Sequence, residues 1–429
     1  MALVALIHPE LSFEPAYPLG LACLVSTLRR DGHRAIGVDL RMVRGGRAMQ
    51  AVAAARADVV GIPVCTRNKE TVFSLAREIA LHCRIPVVLG GPHATLCPGE
   101  CLSREGVAGV VRGDGETVFS RVVDALSGGG DAALEGWVPR SAPASPGGCA
   151  REPDLDALPW PDREVFPAIA YAGHPLRRGL FAPVVTSRGC GFRCSFCAAP
   201  AVSGTPRRVR STGAVVDEIL CLRNRFGITD VLLEDDQFLE NREHVLHLCD
   251  ALRSAGVPVR WHLPNGVRVD CVDQGILRAI RAAGCASIAL GVESGAAEVR
   301  ASLGRPCDEG RVRDVVRHAH AAGLSVTGYF MLGLPGGSAA DDWHTFRFSR
   351  AIPFDLAHFS TYEWTPGCAI PERCGRRGTD RAIRAAAYLG FYASPVRIAR
   401  LTLRGDIAPA RAGAALKRFA AWLGEGVAD

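Results

Sequence analysis

With 429 residues, 48% of them hydrophobic, the chain has the length of two or three domains and can bury substantial cores. No run reaches the ~18 uninterrupted apolar residues of a membrane helix, and a net charge of +6 spread along the chain offers no basic stripe for nucleic acid. Residues 2–7 lack a basic start and predict a buried strand, not a signal peptide, so the sixteen cysteines are expected in a reducing cytoplasm as metal ligands, nucleophiles or core residues.

After that strand, a helix is predicted over 19–30, stopped by Gly32, and a strand over 34–39. A helix over 49–55 and a strand over 58–63 follow. Val72, Leu75, Ala76 and Ile79 give helical spacing over 69–81. A strand over 86–89 ends in Gly90-Gly91-Pro92-His93, a strand end lies at 109–111, and a helix spans 116–126. Strand–helix alternation with buried strands predicts an α/β fold, beginning with an N-terminal doubly wound, Rossmann-like parallel sheet. Ligands of such sheets bind outside the carboxyl ends of the strands. The chain places 9–20, Cys65-Thr66-Arg67, 90–93 and 113–116 there. Residues 127–148, rich in Gly, Ala, Ser and Pro, read as a linker. The domain boundaries expected are 1–135, a linker over 136–182, a second domain over 183–365 and a helical C-terminal extension over 366–429. The basic run Arg207-Arg208-Val209-Arg210 reads as a solvated loop.

In the second domain, strands are predicted over 184–187, 230–234, 259–263, 287–291, 325–332 and 357–362. Helices lie between them over 213–226, 242–255, 274–283, 308–322 and 338–351. Six such units fit an open, partial (β/α)6 barrel.

Past the first of these strands comes Ser187-Arg188-Gly189-Cys190-Gly191-Phe192-Arg193-Cys194-Ser195-Phe196-Cys197. Three cysteines at C-x3-C-x2-C sit in a polar, glycine-containing loop that can wrap a compact object. Thiolates ligate iron–sulfur clusters. Three leave one iron with an open position, whereas a structural zinc site is closed by four ligands. No fourth partner is evident nearby: His174 is sixteen residues upstream and Cys221 falls on a predicted helix.

This spacing, after the first strand of a partial barrel and with an aromatic before the last cysteine, resembles the radical S-adenosylmethionine (SAM) superfamily. The resemblance implies a [4Fe–4S] cluster on Cys190, Cys194 and Cys197. Its open iron would bind SAM, and one-electron reduction would generate a 5′-deoxyadenosyl radical. It further implies SAM contacts at Glu234 and Asp235 after the second strand, at Arg268 after the third, and at Glu293 and Ser294 within Gly291-Val292-Glu293-Ser294-Gly295. Gly333, in Gly333-Leu334-Pro335-Gly336, and Phe196 would lie by the adenine.

The N-terminal sheet resembles the cobalamin-binding domain that precedes the barrel in one branch of this superfamily. Candidate cobalamin contacts are Tyr17, Thr66, Arg67, Gly90, Gly91, His93, Gly113 and Glu116, the glycines letting a flat macrocycle approach the backbone. His8 is a further candidate. Asp31-Gly32-His33 superficially resembles the Asp-x-His-x-x-Gly motif that supplies a cobalt ligand, but the glycine is one residue late and the segment sits between a helix and the second strand. His33 is therefore expected at the surface.

These resemblances imply methyl transfer to an unactivated carbon, or phosphorus, of a small biosynthetic intermediate. An external one-electron reductant such as flavodoxin or ferredoxin would be the partner, with neither nucleic acid nor membrane involved. A cyclase, ring contractase or rearrangement enzyme using the same cofactors stays open. Against a methylthiotransferase acting on transfer RNA stands the lack of a second cysteine set in a fitting context. Against a non-catalytic cobalamin carrier stands the intact triad. Tyr329 and Tyr362 are the catalytic candidates. Trp364, His358, Tyr388, Phe391 and Tyr392 could line the substrate site.

Overall fold

The computed structural model describes residues 1–9, 17–40, 56–128, 133–141, 148–171, 179–374, 381–394 and 397. The helix expected over 49–55 and most of the C-terminal extension lie outside these. The chain divides into two compact units, one of Met1–Ala170 with Ala198–Arg210, the other of Tyr171–Cys197 with Ser211–Asp429.

In the first unit the described elements are β1 (Leu3–His8), α1 (Leu19–Arg30), β2 (Arg34–Asp39), β3 (Val59–Pro63), α2 (Lys69–Cys83), β4 (Val87–Gly90), α3 (Gly91–Leu96), α4 (Pro98–Ser103), β5 (Val107–Val111), α5 (Phe119–Gly128) and β6 (Trp137–Pro139). The sheet order is β2-β1-β3-β4-β5-β6, parallel except for β6. Helix α1 forms because Leu21, Ala22, Val25 and Leu28 recur on one face and are buried, while Arg29 and Arg30 complement the dipole of its last turn. The core under the sheet gathers Ile7, Val60, Ile62, Phe73, Ile79, Leu89 and Val110.

Three expectations need correction. The presumed linker contributes β6, which pairs antiparallel with β5 and covers that edge of the sheet. Arg208 is no solvated loop residue: its guanidinium meets Asp114 at 2.5 Å, with both side chains largely buried, and donates to the Glu152 and Ser203 carbonyls. His33 is buried, with Nδ1 accepting from the Ala2 N–H at 3.4 Å.

The second unit contains β7 (Phe181–Val184), α6 (Thr212–Phe226), β8 (Asp230–Leu233), α7 (Arg242–Ser254), β9 (Arg260–Arg268), α8 (Gln274–Ala282), β10 (Cys285–Glu293), α9 (Ala297–Ser302), α10 (Glu309–Ala321), β11 (Ser325–Leu332), α11 (Ala339–Ala351), β12 (Leu356–Thr361) and α12 (Arg381–Tyr392). Its six strands are parallel and lie in sequence order, with β7 and β12 as unjoined edges, as an open (β/α)6 arrangement requires. Helix starts are capped by side chains. Ser211 caps α6, Asn241 α7, Asp273 α8 and Asp308 α10, and Ser338 with Asp341 forms a capping box on α11. Along β11 the even positions Val326, Gly328, Phe330 and Leu332 are buried, while Ser325, Thr327, Tyr329 and Met331 are half-buried. At the amino-terminal ends, His262 bridges Asp230 and Ser287 at 2.9 and 2.8 Å, binding three adjacent strands together. Burial opposes ionisation of Asp230, but hydrogen bonds from His262, Thr229 and Arg260 bring its carboxyl down to about 2. Among the described residues no helix is long and apolar enough to cross a membrane.

Candidate functional site

The cysteine loop follows β7 and is held by acids that follow β8. The Asp235 carboxylate accepts from Thr186 N at 2.7 Å and from the Thr186 and Ser187 hydroxyls at 2.5 Å each. Asp236 accepts from Gly189 N at 2.9 Å, and Glu240 from Gly191 N at 3.0 and 3.1 Å. Gly189 has φ +92°, open to glycine at little cost. Beyond the loop's middle, Ser195 N donates to Leu303 O, and Ala369 N and Ile370 N donate to Ser195 O. Cys194 is buried, and Cys190 and Cys197 are half-buried.

Two expected SAM contacts are otherwise engaged. Asp235 is committed to residues 186–187, so its carboxylate fastens the loop instead of facing a ligand. Arg268 is buried and forked onto Asp270, through Nε at 2.9 Å and Nη2 at 2.6 Å. Its Nη1 lies 3.1 Å from Cys194 Sγ and 3.2 Å from Gly304 O, and Phe192 stacks on the guanidinium at 4.2 Å. An aspartate two residues on takes the bidentate face that a ligand carboxylate would need.

The other expected residues remain at the carboxyl ends of the strands. Glu234 directly follows β8, half-buried, with its N–H on Val184 O. Glu293 ends β10 at φ +68°, a left-handed conformation that costs a non-glycine residue about 1–3 kcal/mol and clusters at functional sites. Burial raises the pKa of its carboxyl, partly opposed by Arg305 and Arg268. Arg305, which sequence reasoning missed, pairs with Glu293 at 3.1 Å and lies over the Phe196 ring at 5.4 Å. Ser294 is tied to Thr345 at 3.2 Å. Gly333, at φ +74°, donates to Asp342 at 3.0 Å. Phe196 packs with Met331, Leu334, Tyr362 and Trp364, so the cysteine loop and the late strands share one apolar cluster.

The two tyrosine candidates part company. Tyr362 belongs to the Phe196 cluster, and burial, with the Cys368 thiol beside its hydroxyl, pushes it up to about 12. Tyr329 donates to Pro264 O at 2.6 Å and packs edge-on to His358, which bonds Tyr388 at 3.0 Å.

The donor set fits an iron–sulfur cluster. One zinc ion with ~2.3 Å bonds would draw its sulfurs to within about 4 Å. Among the described residues, the group whose ligand atoms all lie within 4.8 Å of one another is His93, Cys97 and Glu100, not this triad. A guanidinium on Cys194 Sγ also suits a thiolate ligand.

In the first unit, strand-end segments expected to meet a ligand do come together. Val64 N donates to Gly90 O and His93 N to Val64 O, and Gly113 N donates to Thr95 Oγ1 at 3.1 Å. Thr66 lies 3.2 Å from His93 Nδ1. His93 Nε2 lies 3.1 Å from Glu100, which Lys69 holds at 2.7 Å. His93 is 1% exposed, with one ring nitrogen beside Thr66 and the other beside Glu100. The glycines also need a different account. A Cβ on Gly113 (φ +86°) would overlap the Ala150 carbonyl, and one on Gly91 (φ +87°) would press on Val64 backbone, so both are demanded by the chain itself. Arg67 is exposed, Glu116 is buried, and Tyr17 packs beneath Arg163 at 5.3 Å.

Comparison with known proteins agrees with this geometry. Residues 184–349 match the model of the radical SAM superfamily, and 13–123 that of the B12 binding domain. An uncharacterized methyltransferase of Pyrococcus horikoshii is 28% identical over 83% of this chain and 78% of its own length. The cytidylyl-2-hydroxyethylphosphonate methyltransferase of Streptomyces wedmorensis is 25% identical over 84% and 78%. The radical SAM methyltransferase TsrM of Kitasatospora setae, solved with tryptophan and a SAM analogue, shares the fold with a TM-score of 0.71 at 22% identity, over 86% of this chain and 75% of that one. The cobalamin-dependent radical enzyme OxsB does so at 0.69 and 17%, over 84% and 53%. The chain thus carries a radical SAM domain preceded by a B12-binding domain.

Proposed function

We propose that the chain is a cobalamin-dependent radical SAM methyltransferase acting on an unactivated carbon, or on phosphorus, of a small biosynthetic intermediate. The observation that carries this reading is a loop of three cysteines, fixed by acids and faced by a cation, in a chain that also holds a B12-binding domain. Relatives named as methyltransferases over more than four-fifths of the chain favour methyl transfer over cyclisation or rearrangement.

Cys190, Cys194 and Cys197 would hold the cluster. Glu234, Glu293, Ser294, Gly333 and Phe196 would line the SAM pocket, with Arg305 orienting Glu293. Tyr17, Thr66, Arg67, Gly90, Gly91, Gly113 and Glu116 would meet the corrin, on a floor stiffened by the His93–Glu100–Lys69 network. When bound, the cluster and SAM supply radical chemistry at the substrate, and cobalamin supplies methyl carriage. The protein's part is positional. Asp235, Asp236 and Glu240 keep the loop in place, and the Phe196 cluster excludes water beside it. Tyr362 presents a protonated hydroxyl at that cluster at neutral pH. The electron would come from an external flavodoxin- or ferredoxin-type donor in the cytoplasm.

The test is anaerobic reconstitution with iron, cobalamin and SAM products quantified by mass spectrometry. S-adenosylhomocysteine together with 5′-deoxyadenosine is expected. 5′-Deoxyadenosine alone would move the reading to rearrangement, and zinc in place of iron would overturn it.

A further inference from the structure

The cysteine loop carries a cation that the proposed reaction leaves without a task. Arg268 ends β9, is buried, and directs one N–H at Cys194 Sγ from 3.1 Å. Its position is over-determined. Asp270 grips two nitrogens, Gly304 O takes a third contact, and the Phe192 ring lies 4.2 Å below. A buried guanidinium is costly unless its donors meet acceptors, and here one acceptor is a cluster-ligand sulfur. Hydrogen bonds to ligand sulfurs and nearby charge are two of the levers that set iron–sulfur reduction potentials.

We infer that Arg268 is a positioning residue that raises the reduction potential of the cluster on Cys190, Cys194 and Cys197, with Asp270 as the counter-charge that limits the effect. The inference rests on the cluster assignment made above. The step concerned is a one-electron reduction. An electron passes from a low-potential external donor to the oxidised site, no bond forms or breaks, no proton moves, and the site becomes more negative by one charge. A fixed guanidinium against a ligand sulfur stabilises the more negative form. Asp270 opposes it from farther out, and its side chain is 44% exposed, so water screens it more than it screens Arg268 at 7%.

The experiment is a reductive titration of the reconstituted full-length protein, followed by electron paramagnetic resonance. It compares the wild type with Arg268→Met, Arg268→Lys and Asp270→Asn. Arg268→Met is expected to shift the reduction equilibrium at least tenfold toward the oxidised form, which is 59 mV for a one-electron couple. Arg268→Lys should recover part of this shift. Asp270→Asn should move the equilibrium the other way, a sign that a merely structural role would not produce. Iron and labile sulfide are measured first: a wild type without them defeats the cluster assignment and not the tuning. Equal midpoints across fully loaded variants overturn the inference. If Arg268→Met fails to load, Asp270→Asn decides, and an unchanged or more negative midpoint overturns the proposal.

Discussion

The two parallel sheets finish their strands in different ways. In the first, the chain closes on its own backbone: Gly91 backs onto Val64, Gly113 onto Ala150, and His93 turns inward to Glu100. In the second, charged side chains reach back to hold a loop: Asp235, Asp236 and Glu240 on its amides and hydroxyls, Arg268 on its sulfur. The first surface is set by atoms too close for a side chain, the second by charge. Each should therefore fail under a different kind of substitution.

The largest effect that separates them is loss of the triad. Replacing Cys190, Cys194 and Cys197 with alanine should abolish iron binding and SAM cleavage while leaving cobalamin uptake intact; parallel loss of cobalamin would erase the distinction. Next, Gly113→Ala drives a Cβ into the Ala150 carbonyl at a positive φ. It should destabilise the first unit by about 3 kcal/mol, read from its urea midpoint. Asp235→Asn keeps the shape but sets an amide against Thr186 and Ser187, costing the second unit about 2 kcal/mol. A pH titration tests the same contrast through Asp230. Its folded pKa of about 2 lies below the ordinary carboxylate value of 3.8, so its contribution is full above that value and is lost as pH falls through 2. Roughly 2 kcal/mol should vanish from the second unit in that window, and Asp230→Asn should flatten the curve. The smallest effect belongs to the exposed Glu309–Arg313 pair, where Glu309→Gln should change stability by less than about 0.5 kcal/mol.

Elements with strong periodicity were legible from residues alone. Helix α1 and strands β2 and β11 fall at the predicted bounds, because apolar spacing and flanking turn residues agree there. Strand β6 was not, since three residues behind a glycine run carry no period. The cysteine triad was legible because its spacing is local. Its supports were not: Asp235 meets Thr186 across 49 positions, and Arg268 meets Cys194 across 74. Such partners are chosen by strand adjacency. Arg208 misled for a related reason, as a basic run looks solvated until Asp114, 94 residues earlier, is placed beside it.

The anchoring of residues 186, 187, 189 and 191 bears on how the metal centre is built. Every one of those bonds is made by protein groups. Iron and sulfide therefore meet a receptacle already shaped, with little of the ~1–2 kcal/mol per residue of backbone ordering left to meet. Maturation becomes a matter of delivery, and protein stripped by a chelator should refill at a rate set by iron and sulfide supply, without passing through an unfolded loop.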